Sequence, residues 1–133
     1  MIRKLFIISL IWAILILILC AIPGGSLPMS PLFNIPYLDK IVHVCLYIPL
    51  AIFLVAEFDF GKKNILRITG PLITMLIVAL YGGLIEILQE TLFINRSASI
   101  LDFLSDVIGG LLGLTLYYLF FRPFFHKWSA RKS

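Results

Sequence analysis

Three short polar patterns interrupt otherwise apolar stretches of this sequence, and their side chains are of the kinds that move protons or hold charge. The first is Asp39-Lys40-x-x-His43-x-x-x-Tyr47. The second is Glu86-x-x-Gln89-Glu90, with Arg96 shortly after it, and the third is Asp102-x-x-x-Asp106. Spacings of three and four place the members of each pattern on one face of a helix. His43 among carboxylates suits general-base work, with Asp39 as its orienting partner and Glu86 or Asp106 as a second acid. One histidine with two carboxylates also has the composition of a divalent-metal site. Lys40 and Arg96 suit phosphate or carboxylate groups, Arg96 through a bidentate fork. No HExxH, zinc-finger, CxxC, serine-nucleophile or Arg-rich phosphatase pattern is present, so the sequence assigns no metal and no cofactor.

The elements that position these groups follow from composition. Of the 133 residues 61% are hydrophobic, and the mean hydropathy is +1.06. A soluble domain of this size exposes too much area to hide that apolar content, so it must meet lipid. About 20 apolar residues cross a bilayer as helix. Four such runs predict one all-α domain over residues 1–133, a polytopic four-helix membrane bundle. Its spans are placed at residues 5–22, 38–55, 68–93 and 100–121, with a cytoplasmic tail at 122–133. The first run follows Arg3 and Lys4 as a signal peptide would, but lacks a good cleavage site before Cys20, and reads as an uncleaved signal anchor. Glu57 to Arg67 reads as a charged loop, and Gly70-Pro71 as the start of the third span, where a missing backbone donor costs little. Cys20 and Cys45 lie in apolar runs and read as small hydrophobes. The aromatic and basic tail reads as interfacial anchoring.

Charge fixes the expected orientation. Arg3, Lys4, Lys62, Lys63, Arg67, Arg122, Lys127, Arg131 and Lys132 fall on one side of a four-span arrangement. Basic residues of short loops stay in the cytoplasm, so both termini are expected there. Topology accounts for the net charge of +4, and nothing suggests a nucleic-acid surface. Asp39, Glu86, Glu90, Asp102 and Asp106 gather on the opposite side, which orientation rules do not require.

Depth makes these acids more interesting. An α-helix rises by a fixed step per residue. His43 therefore sits roughly four residues, or one turn, below Asp39. Glu86 and Asp106 each sit roughly two turns inside the ends of their spans, at Phe93 and Ile100. Three helices thus offer polar groups at one level, and the spacings predict a shared outward-facing polar pocket. Bare charge at that depth costs about 2.5–3.5 kcal/mol or more, so each group needs a partner or water. The bland alternative is polar glue between helices, at about 0.6 kcal/mol per contact. Gly109 and Gly113 form a GxxxG pair expected to pack helices closely, and Gly82-Gly83 either pack likewise or admit a ligand.

Taken together from about residue 37 to 118, the pattern Asp39-Lys40/His43/Tyr47, Glu86/Gln89, Arg96, Asp102/Asp106, Gly109/Gly113 resembles the VanZ-like family of bacterial membrane proteins. It departs where many members carry Asn at the place of Asp106. The resemblance implies the bacterial cytoplasmic membrane and a link to the cell envelope. The name-giving member is associated with low-level resistance to the glycopeptide teicoplanin.

Four functions remain open on these grounds. One is binding of an envelope lipid or lipid-linked cell-wall component through Asp39, Lys40, His43, Tyr47, Glu86, Gln89, Glu90, Arg96, Asp102 and Asp106. Another is an intramembrane hydrolase or transferase acting through His43, Asp39, Glu86 and Asp106. A purely structural role is a third. A proton-coupled carrier is the fourth, weakened by the lack of polar groups in the cytoplasmic half and of an inverted repeat. The topology is directly testable. A reporter active only in the cytoplasm should give signal when inserted at Lys62-Lys63 and none when inserted near Pro28. The reverse pattern would refute the orientation.

Overall fold

Backbone groups inside lipid must satisfy one another, and a helix does this within a single segment. The computed structural model describes residues 2–22, 37–60, 64–93 and 97–124, and in these the regular structure is entirely helical. Helix α1 spans Ile2–Ala21, α2 Leu38–Asp59, α3 Asn64–Thr91 and α4 Ile100–Leu116. A π-helical turn, Tyr117–Phe121, carries α4 onward into a last helical turn at 122–124. All four helices are long and apolar enough to cross a membrane.

Local signals set the helix starts. Tyr37 stands in the left-handed region at φ 62° just before α2. Ser99 caps α4, its hydroxyl accepting the Asp102 N–H at 3.3 Å. Such a cap satisfies one of the donors that a helix start leaves open. Two expectations need correction. The charged loop expected from Glu57 to Arg67 is largely helix, because α2 runs on to Asp59 and α3 begins at Asn64. Pro71 accordingly lies inside α3 rather than at its start, and Pro49 lies inside α2. Membrane helices tolerate such prolines where neighbouring groups compensate the lost donor. Of the expected tail, Arg122 to Phe124 continue the helix, and residues 125–133 lie outside the described part.

Packing turns an ordinary soluble pattern inside out. Ile7, Ile11, Ile14 and Ile18 of α1 are all exposed, at spacings that form one apolar stripe. Leu72, Leu76, Leu80 and Ile87 do the same on α3. The interior holds Ile16, Cys20, Tyr47, Leu50, Ala51, Val78 and Ile85, together with most of the polar residues discussed below. Helix α2 touches the other three. Helix α1 is held by three polar links: Trp12 Nε1 donates to the Leu46 carbonyl at 2.8 Å, Tyr81 Oη to the Ala13 carbonyl at 2.5 Å, and Gln89 Nε2 to the Cys20 carbonyl at 3.4 Å.

The tightest seam joins α2 to α4. A Cβ on Gly109 would stand 2.7 Å from the Val44 carbonyl oxygen, and one on Gly113 would stand 2.5 Å from that of Ile48. The two glycines therefore bring backbones into direct contact, as the GxxxG spacing anticipates. Gly113→Leu should destabilise the protein by about 1–3 kcal/mol through overpacking. Reversible unfolding in mixed micelles measures this, and lipid-facing Leu112→Ala should change little.

Candidate functional site

The polar stripes converge where α2 and α4 begin and α3 ends. His43 Nδ1 and Asp106 Oδ1 share a hydrogen bond of 2.8 Å between two buried side chains. Glu86 reaches across from α3, its Oε2 accepting the Ser99 N–H at 2.6 Å. One donor atom from each of His43, Glu86 and Asp106 lies within 4.8 Å of the others. Tyr47, one turn below His43 and fully buried, points its hydroxyl toward the Asp106 carboxylate without a hydrogen bond of acceptable geometry.

Gly82 makes this possible. A Cβ there would meet Asp106 Oδ2 at 2.7 Å, so the carboxylate rests against bare α3 backbone. Gly83 has no comparable role, since a Cβ there would only touch Phe103 at 3.9 Å.

A second tier lies nearer the helix ends. Lys40 Nζ bridges Asp39 Oδ2 at 2.7 Å and Asp102 Oδ1 at 2.8 Å. Glu90 is exposed and accepts the Ala98 N–H at 2.8 Å. Gln89 is buried but turns toward α1. Several expected roles change accordingly. Asp39 pairs with Lys40 and not with His43, whose partner is Asp106, because Asp39 sits on the exposed first turn of α2. Lys40 is already held by two carboxylates, which weakens it as a free phosphate contact. Arg96 lies outside the described residues.

The striped spacing thus yields a compact, closed cluster with its polar atoms facing one another. Its charge is unbalanced. Among the described residues at this end Lys40 is the only permanent cation, set against Asp39, Glu86, Glu90, Asp102 and Asp106. Its polar atoms are also incompletely paired. Glu86 Oε1, Asp106 Oδ2 and the Tyr47 hydroxyl are buried with no hydrogen-bond partner. Each such atom costs about 1–3 kcal/mol of stability when left unpaired.

A second buried cluster, at the opposite end, escaped the sequence reading. Asp59 is 2% exposed. It accepts from Tyr117 Oη at 2.8 Å and from Arg122 Nε at 3.1 Å, while its carbonyl accepts from Arg67 Nε at 2.9 Å. Arg122 also stands 5.4 Å from the centre of the Tyr118 ring. The expectation that this half lacks polar groups is therefore overturned. The available signal was spacing: Ala51, Val55 and Asp59 continue the buried face of α2 in steps of four. Reading Asp59 as a loop residue hid it.

The sequence profile of the VanZ/LLP1 family matches residues 5–121. This chain belongs to the VanZ/LLP1 family. The match covers all four helices, both polar clusters up to Phe121, and the glycine seam. No curated protein and no solved structure matches the chain.

Within this VanZ/LLP1 chain, the unpaired Glu86 oxygen should cost stability. Glu86→Gln keeps the acceptor for Ser99 and removes a buried, uncompensated charge. In metal-free buffer it should raise unfolding stability by about 1–3 kcal/mol. A loss of stability instead would mean that the carboxylate is structural glue.

Proposed function

We propose that this chain is a multi-pass protein of the bacterial cytoplasmic membrane with both termini in the cytoplasm. In this reading the α2–α3–α4 polar cluster, near the outer face, binds the polar head group of an envelope lipid or lipid-linked cell-wall component. One observation carries it: three polar atoms from three helices, Tyr47 Oη, Glu86 Oε1 and Asp106 Oδ2, are held together, buried and unpaired. Such unpaired oxygens leave this cluster able to take up a ligand's electropositive groups directly, or its anionic groups through a bound cation. The Asp39–Lys40–Asp102 tier would form the face that the ligand meets first. The orientation is supported by Lys4, Arg67 and Arg122, which lie at the end away from the cluster. Family membership fits a part in tolerance of glycopeptides such as teicoplanin.

A second reading has its own support. The His43–Asp106 bond fixes the imidazole as a general base would need, which suits a hydrolase or transferase acting on the same class of lipid-linked substrate. Turnover of that substrate would separate it from simple binding.

Expression in a teicoplanin-sensitive bacterium should raise tolerance. Glu86→Gln and Asp106→Asn should return it to the vector level at unchanged protein abundance, whereas Leu112→Ala should protect like the parent. Native mass spectrometry of the purified protein should retain a lipid-linked component that the two variants lose. Full protection by both variants would exclude the cluster from the activity.

A further inference from the structure

We propose that His43, Glu86 and Asp106 bind one divalent transition-metal ion. This rests on the reading of the cluster as a ligand site and names what occupies its deepest atoms.

Four observations converge on it. The three side chains come from three different helices yet offer donor atoms within 4.8 Å of one another, all of them buried. Metal–nitrogen and metal–oxygen bonds of about 2.0–2.2 Å in tetrahedral geometry separate neighbouring donors by about 3.4 Å, so side-chain movements of up to about 1.4 Å close the set. Next, both carboxylates keep an uncommitted oxygen, while His43 Nδ1 is shared with Asp106 and would coordinate either by giving up that bond or through Nε2. Glu86 uses Oε2 on Ser99 and Asp106 uses Oδ1 on His43, which leaves Oε1 and Oδ2 as buried lone pairs with no partner. Third, among the described residues no permanent cation is in contact with Glu86 or Asp106. Lys40 is taken up by Asp39 and Asp102, so it does not neutralise Glu86 and Asp106. A divalent ion would compensate two carboxylates removed from water, a task otherwise left to a protonated His43 or to protonation of the carboxyls themselves. Finally, glycines set the spacing of the donors. Gly82 backs Asp106, and the α2–α4 glycine seam fixes the separation of His43 from Asp106.

The donor set narrows the ion. One imidazole and two carboxylates, with a tyrosine hydroxyl alongside, suit Zn²⁺, Mn²⁺, Fe²⁺ or Co²⁺ better than Ca²⁺, which takes six to eight oxygens. With a vacant coordination position the ion would also attract phosphate, which the carboxylates alone repel. That would let the cluster hold the phosphate of a lipid-linked component. Because the imidazole must be neutral and the carboxylates ionised, binding releases protons and affinity rises with pH.

The test uses full-length protein in lipid nanodiscs, stripped with chelator and titrated with Zn²⁺, Mn²⁺ and Co²⁺ by calorimetry. One equivalent per chain should bind, with elemental analysis showing metal retained after desalting. His43→Gln, Glu86→Gln and Asp106→Asn should each weaken binding by at least about 100-fold, beyond the cost of losing a mere supporting hydrogen bond. Glu57→Gln, a carboxylate at the other end of α2, should bind like the parent. The Co²⁺ spectrum should show d–d bands without the thiolate charge-transfer absorption that Cys20 or Cys45 would give. Saturating metal should raise the unfolding temperature of the parent and leave that of Glu86→Gln unchanged, which separates lost binding from lost folding. No binding by the parent at neutral or mildly alkaline pH would overturn the proposal, as would equal affinity in the three variants. Metal binding without a retained lipid would leave the ion in place and remove the head-group reading.

Discussion

A carboxylate at bilayer depth has nowhere to go but inward. The rest of this molecule follows from that constraint. Lipid offers no hydrogen bonds and no screening, so each ionisable side chain must meet another helix, and the helices must stand close enough to receive it. Gly109 and Gly113 provide the closeness by setting α4 backbone against α2 backbone, and Gly82 provides a recess in α3 for the Asp106 carboxylate. The apolar residues that a soluble protein would bury are turned outward instead, as on α1 and α3.

The same constraint is met in two different ways at the two ends of the chain. Around Asp59 it is met fully. A phenol and a guanidinium donate to the carboxylate, and a second arginine reaches its carbonyl. The π turn at Tyr117–Phe121 accompanies this arrangement, with Tyr117 facing inward and Tyr118 stacked beside Arg122. Around Asp106 it is met only in part, since one oxygen is paired and the other is not. The contrast is between a carboxylate with every oxygen partnered and one with an oxygen left over. Thr74 Oγ1, outside the cluster, is buried without a partner as well, but among the described residues only around Asp106 do three such atoms stand on neighbouring helices.

Much of this arrangement was legible in the residues. Four apolar runs of sufficient length became four helices, and spacings of three and four put His43 with Tyr47 and Asp102 with Asp106 on shared faces. The GxxxG pair signalled a close seam. Counting residues along helices of fixed rise brings Glu86 level with His43 and Asp106 without reference to any contact. Pairings were not legible. Asp39 is the nearer neighbour of His43 in sequence, yet helix geometry leaves Asp39 on the exposed first turn, while Asp106 arrives from a helix 63 residues away. Asp59 was misjudged for a related reason. A charged stretch between two spans looks like a loop until a partner such as Tyr117 or Arg122 shows why the helix continues.

By itself, then, the sequence determined the spans, the inward faces and the level at which polar groups meet, because all three depend on periodicity and length along single helices. Only the tertiary structure decided who bonds with whom, that Lys40 is taken up by Asp102, and which three atoms of the cluster are left without partners. Those outcomes depend on how far apart and at what rotation the helices settle, and that is set by contacts such as Gly82 against Asp106 and Gly113 against Ile48.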